Sequence, residues 1–249
     1  MTNIHTAHTI PRGTQKLPHR LVRILASLLL ILFGAGSGLG QSHHFGTWNI
    51  LNIKYTINAK WSLFGEGQVR SLGFYQEYYY HEFKGGVLYK INPNTNIGLA
   101  IGDYDTYQEG GIFLLPKTNN EFRIWPQLIV IQPFHKLKIE HRYRSEFRYT
   151  SNGYRNRFRY RLALYYPFGK ERNGYRHFQI SVGDELFFSN KGTYFERNRL
   201  SCSVNYKISK NTSFLVGYMY QFDYKLSSQL ARDFLQLGVF TEFYKKKNA

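Results

Sequence analysis

The chain carries charge at a spacing that restricts its chemistry. Lys136, Lys138, Glu140, Arg142, Arg144, Glu146 and Arg148 occupy every second position of one stretch, and Arg155, Arg157, Arg159 and Arg161 do so in the next. Arg197 and Arg199 repeat the step later, and Glu66, Glu82, Glu185 and Glu196 add carboxylates. Glu196 is a weak member, because strict alternation sets it opposite Arg197. Paired carboxylates such as Glu140 and Glu146 are raw material for general acid–base chemistry. Here they are interspersed with arginines, whose guanidiniums favour the ionised form and suit a salt-bridge ladder better than a proton donor. Other familiar reagents are missing: there is no Gly-x-Ser-x-Gly, no His-Glu-x-x-His and no glycine-rich phosphate loop. His43 and His44 are adjacent, a weak metal signal near a terminus, while His81, His135, His141 and His177 fall in separate segments. The expectation is a protein without catalytic residues, metal site or cofactor.

The elements that place alternate residues on one face are strands. Opposite the charged face of 136–149 stand Leu137, Ile139, His141, Tyr143, Ser145, Phe147 and Tyr149. Opposite the four arginines of the next stretch stand Tyr154, Phe158, Tyr160, Leu162, Leu164 and Tyr166, with Asn156 as the polar exception. The pattern recurs over 194–208 and 213–224. Composition agrees, since 21 Tyr and 20 Phe favour strands. A single cysteine excludes a disulfide scaffold and a zinc–cysteine site, and Cys202 reads as a small apolar side chain within a strand. Candidate strands cover 44–57, 61–70, 77–91, 96–107, 120–131, 136–149, 154–167, 176–188, 194–208, 213–224 and 230–244. A soluble strand has about five or six residues, whereas a tilted membrane-crossing strand needs about 9 to 11. These are of the second kind.

Residues 1–40 contain no acid, four basic residues (Arg12, Lys16, Arg20 and Arg23), an apolar run over 24–33 and small residues up to Gly40. This is the layout of an export signal, and the run is too short to span a bilayer as a helix. Without it the formal charge falls from +17 to +13. Export counts against nucleic acid as the partner of that charge. The domain reading is a signal peptide over 1–40 and an outer-membrane β-barrel over 41–249. The fold class is all-β, a single antiparallel transmembrane barrel of about 10–12 strands. Arginines on successive strands are costly toward lipid but can pair with carboxylates inside a barrel. The expected lumen-facing set is therefore Glu66, Glu140, Arg142, Arg144, Glu146, Arg148, Arg155, Arg157, Arg159, Arg161, Arg197 and Arg199.

Connections at 58–60, 92–95, 132–135, 168–174 and 209–211 suit tight periplasmic turns. The opposite series, 71–76, 108–119, 150–153, 189–193 and 225–229, is expected outside, with Gly110-Gly111-Ile112-Phe113 in the largest loop. Eleven segments conflict with the even number usual for single-chain bacterial barrels. A signal-cleaved barrel is also expected to begin and end on the same side, so one segment is expected to be misassigned. Trp48, Trp61 and Trp125 are candidates for aromatic girdles, although Trp125 shares a face with Arg123 and Gln127 and is expected inward. The last strand ends Phe240-Thr241-Glu242-Phe243-Tyr244, similar to the signal read by barrel-assembly machinery.

Tyr149-Thr150-Ser151-Asn152-Gly153 resembles part of the motif of phospholipase barrels, in which a histidine two residues before the serine is the base. Tyr149 stands there instead, and a phenol is a poor base at neutral pH. Gly46-Thr47-Trp48-Asn49, Trp61-Ser62-Leu63-Phe64-Gly65-Glu66, Glu140-His141-Arg142-Tyr143-Arg144 and Arg155-Asn156-Arg157-Phe158-Arg159-Tyr160 together resemble the uncharacterised family designated domain of unknown function 2490. Glu185-Leu186-Phe187-Phe188, 195–200 and 217–220 extend the likeness over most of 45–244. The resemblance implies a small outer-membrane barrel of the kind common in Bacteroidota, and no activity. The expected role is structural or binding, with outer-membrane lipids and lipopolysaccharide as partners. A small anion-selective pore is the alternative, because the arginine stripe would attract an anionic solute. A lipid-modifying enzyme is the remote one, and a soluble basic barrel or sandwich the check on all three.

Overall fold

The computed structural model describes residues 45–172, 174–224 and 229–245. Among them the regular elements are strands: β1 (Phe45–Thr56), β2 (Trp61–Gly73), β3 (Gln76–Asn92), β4 (Thr95–Gln108), β5 (Leu114–Phe134), β6 (Leu137–Thr150), β7 (Gly153–Arg172), β8 (Tyr175–Ser189), β9 (Phe195–Lys207), β10 (Thr212–Tyr224) and β11 (Gln229–Tyr244). Each pairs antiparallel with its sequence neighbour, and a parallel pairing of β1 with β11 closes the barrel. The candidate leader over 1–40 and the pair His43-His44 lie outside the described residues.

The closed count is eleven, which corrects the expectation that one segment was misassigned. An up-and-down meander of odd number leaves its first and last strands pointing the same way, so its seam has to be parallel. Phe45 and Tyr244 accordingly lie at opposite rims, and these residues name the rims below. The seam keeps register along its whole length, from Phe45 opposite Asp233 to Thr56 opposite Tyr244.

The expected contrast between short turns and long loops is also corrected. Connections at the Tyr244 rim, 57–60, 93–94, 135–136 and 208–211, have two to four residues. Those at the Phe45 rim, 74–75, 109–113, 151–152 and 190–194, have two to five. Of the expected connections 168–174 and 225–229, residues 173 and 225–228 lie outside the described residues. The strands simply continue to their tips. Gln108 pairs with Leu114, so β5 starts six residues before the expected position and Gly110–Phe113 occupy only a five-residue tip. Local chemistry makes the turns: the Asn58 side chain accepts from the backbone N–H groups of Lys60 and Trp61, both at 2.9 Å. Gly153 supplies the positive φ (95°) that closes the two-residue β6–β7 connection.

The pleat sorts the side chains onto two faces. Leu51, Ile53, Leu63, Phe83, Leu99, Ile101, Val204 and Val216 are large, apolar and exposed on the outside. The buried core is the barrel interior, centred on Trp48, Tyr104, Trp125, Phe187 and Phe234. Small residues let strands curve inward without collision. A Cβ on Gly86 would sit 2.4 Å from that of Ala100, and one on Gly217 would sit 2.4 Å from that of Ser203.

The seam register predicts a cross-link. With Cys202 replaced by alanine, Leu51→Cys and Val239→Cys should form an intramolecular disulfide on oxidation, read as a reductant-sensitive mobility shift. Leu51→Cys with Leu235→Cys, four residues or about 13 Å out of register, should not. Failure of the first pair, or equal yield from the second, would overturn the parallel closure.

Candidate functional site in the barrel interior

The site is built on the β6–β7 hairpin. Its two-residue turn sets Arg148 opposite Arg155, Glu146 opposite Arg157, Arg144 opposite Arg159 and Arg142 opposite Arg161. Like charges directly opposite one another repel. Neutralisation comes mostly from diagonal and distant carboxylates. Glu146, fully buried, accepts from Arg157 Nη2 at 2.6 Å and Nε at 2.8 Å, and from Arg159 Nη1 at 2.6 Å. Glu185 of β8 accepts from Arg159 at 2.8 Å and from Arg142 at 2.6 Å. Glu121 of β5 holds Arg123 at 2.6 Å and also Arg148. Glu140 accepts from Arg161 at 2.5 Å.

Other strands extend the network. Glu82 binds Arg70 at 2.9 Å, Tyr80 at 2.6 Å and Lys84, and Lys84 bridges on to Glu66 at 2.6 Å. Asp223 binds Arg197, with Arg232 at 3.7 Å. Glu196 also points inward, where it accepts from Arg157 at 2.8 Å and Arg148 at 3.2 Å. The weak standing given to it by strict alternation is thus corrected. Phe187 pairs with Arg197 and Phe188 with Phe195, so Glu196 is the extra residue of a bulge and alternation skips a step there.

Aromatic rings lie between the guanidiniums. Arg70 sits 3.5 Å above Trp48, Arg123 3.6 Å above Tyr104 and Arg144 4.9 Å from the Trp125 ring. The Phe187 ring, fully buried, has Arg159 at 4.5 Å, Arg199 at 4.8 Å and Arg157 at 5.2 Å. Cations over aromatic faces gain most when desolvated, as here. Trp48 therefore belongs to the interior, which corrects its assignment as a girdle candidate; Trp125 is also inside and fully buried, while Trp61 is exposed outside.

A cavity of about 1060 Å³ remains inside the barrel. Of the sequence-derived set, Glu66, Arg142, Arg144, Arg148, Arg155, Arg157, Arg159, Arg161, Arg197 and Arg199 line it. Glu140 and Glu146 are buried behind the arginines they bind. Lys136 lies in the 135–136 turn instead of the ladder. Sequence reasoning left Arg70, Glu121, Asp223 and Arg232 out of its set, and missed the aromatic platforms Trp48, Tyr104 and Phe187. Phe187 carried a signal, since it stands two residues after Glu185 and so on the same face.

The remaining chemical candidates serve the scaffold. Ser151 Oγ accepts from Asn120 N at 2.9 Å within a turn, and Tyr149 packs on Tyr154 with ring centres 5.2 Å apart. His141 faces outward and shares a 2.9 Å hydrogen bond with Tyr160. No cluster of three potential metal ligands occurs among the described residues.

Removing one partner of a buried ion pair strands the other charge in a poor solvent for it, at a cost of about 3–5 kcal/mol. Glu146→Gln should therefore lower barrel stability by about that much, and Glu109→Gln, whose carboxylate at the rim pairs with Arg232 but is 61% exposed, by under about 1 kcal/mol. Denaturant unfolding in detergent micelles measures both, and equal effects would contradict the central role of Glu146.

The profile of a family described as protein of unknown function (DUF2490) matches residues 45–231, from the start of β1 into β11. No match to a curated protein was found. The chain, with its eleven-strand barrel and charged interior, belongs to the DUF2490 family.

Proposed function

We propose that the protein is an outer-membrane β-barrel of a Gram-negative bacterium whose arginine–carboxylate interior closes the lumen, in a structural or binding role without catalysis. The observation that carries this is the inverted sorting of side chains. A closed barrel of strands 12 to 21 residues long exposes Leu, Ile, Val and Phe on its outer wall and keeps its ion pairs inside. An apolar surface of that extent is a liability in water and is matched by lipid.

Aromatic clusters at both rims support the same reading. Near the Tyr244 rim, Trp61 packs on Tyr89 and Phe178 on Phe168 and Tyr206. Near the Phe45 rim, Phe188 packs on Tyr194 and Phe195, and Phe195 on Tyr224. Such girdles sit at the two membrane–water interfaces. The alternating last strand, ending at Tyr244, suits recognition by barrel-assembly machinery and turns the Tyr244 rim to the periplasm. Lys60, Lys90, Lys136, Lys170 and Lys210 lie at or beside that rim and suit lipid phosphates. The Phe45 rim then faces lipopolysaccharide.

A second reading, a small anion-selective pore, is favoured by one observation: fifteen Lys and Arg side chains line the cavity, against nine carboxylates with the buried Glu140, Glu146 and Asp223 included. Two measurements decide. The chain should need detergent for extraction and should show a heat-modifiable band on a gel; extraction in buffer alone would overturn the membrane reading. In planar bilayers the folded barrel should give no steady conductance. Steady anion-selective steps would replace the closed barrel with the pore.

A further inference from the structure

The middle of the lumen holds more cation than its carboxylates neutralise. Around Glu146 and Glu185 stand Arg142, Arg144, Arg157, Arg159 and Arg199, and Arg123 at 4.0 Å. Arg144 and Arg199 are the least well served of these. Their nearest carboxylate oxygens, on Glu146 and Glu185, are 3.8 and 3.9 Å away, and Gln127 Oε1 and Gln221 Oε1, each at 2.9 Å, are their close acceptors.

A second observation comes from hydrogen bonding. Arg144 Nε, Arg159 Nε, Trp125 Nε1 and the Tyr104 hydroxyl are buried and have no hydrogen-bond partner among the described residues. All four residues are more than nine-tenths buried. They are neighbours. Arg144 and Arg159 face each other across the β6–β7 ladder, Arg144 lies 4.9 Å from the Trp125 ring, and the Tyr104 and Trp125 rings are 6.4 Å apart. Buried polar groups in folded proteins are nearly always paired. Three of these atoms can only donate and the fourth can donate, so their complement is an acceptor. The surplus of guanidinium gives that acceptor a negative charge.

We propose that the mid-lumen binds a small free oxyanion of the phosphate or sulfate class, held by Arg144 and Arg159 with the Tyr104 hydroxyl as a further donor, all three lining the cavity. Guanidinium matches the geometry of such oxyanions better than a point charge does. Access runs from the Tyr244 half of the lumen, where the interior side chains are less buried. Lys54 and Lys138 are each 39% exposed there and Arg161 29%. Cations lining a low-dielectric channel concentrate anions toward its inner end. The proposal goes beyond a closed structural barrel and rests on the interior alone, not on the membrane reading.

The test is calorimetric titration of the full chain, folded in detergent, with inorganic phosphate against a chloride background of constant ionic strength. One saturable site is expected. Arg144→Gln should weaken it at least about tenfold, the loss expected for a charge-assisted hydrogen bond. Lys191→Gln, in the 190–194 connection at the Phe45 rim and away from the cavity lining, should leave it within about twofold. If Arg144→Gln does not fold, Tyr104→Phe decides, with weaker binding expected. No saturable binding by the folded barrel would overturn the proposal. So would binding unchanged in Arg144→Gln, or in Tyr104→Phe where that variant is the arbiter. A chain that needs no detergent yet binds phosphate would overturn the membrane reading and leave this one standing.

Discussion

Arginine facing arginine across one hairpin is the constraint on which the interior depends. The β6–β7 turn fixes three such pairs, Arg148 with Arg155, Arg144 with Arg159 and Arg142 with Arg161. Taken alone, that hairpin repels itself. Its compensation comes from Glu146 and Glu140 within the hairpin, Glu121 on β5, Glu185 on β8 and Glu196 on β9. Several of these carboxylates are far away in sequence, so the ladder becomes tolerable only when the neighbouring strands wrap round it. Local charge and global closure are thus coupled. Such networks are poor sources of net stability, since desolvation offsets much of the attraction, but they penalise any register that separates the partners.

Closure has its own logic. Eleven antiparallel steps bring the last strand alongside the first with the same direction, and a parallel seam removes both edges. An open edge would present a row of unpaired backbone groups, which is a site for aggregation in water and is excluded from hydrocarbon. The seam keeps an unbroken register of twelve residue pairs. Its polar contacts reinforce it at the Tyr244 rim, where Glu242 of β11 accepts from Thr56 and pairs with Lys54 of β1.

The interior is more than a salt-bridge plug. Flat rings of Trp48, Tyr104, Trp125 and Phe187 lie against the guanidiniums and fill the width that charged side chains alone would leave to water. The same rings orient the arginines, because a stacked guanidinium keeps its N–H groups in the plane where carboxylates can reach them. The result is a cation-rich wall whose guanidiniums are held between rings and carboxylates.

Much of the fold was legible because strand alternation is a local property. Every second residue of 137–149 and 154–166 shares a face whatever the rest of the chain does, so the eleven segments and the inward arginines follow from the chain itself. The sequence determined the strands, their polar and apolar faces and the chemical character of the interior. It could not show that Glu196 turns inward, because a bulge breaks the period there. Nor could it show that Trp48 lies under Arg70, or which carboxylate serves which arginine. The parallel seam was hidden too, and an even count was expected in its place. Those features were decided by the tertiary structure. They depend on the register and closure of strands distant in sequence, and pairing across space is set by all the strands together and not by the period of any one.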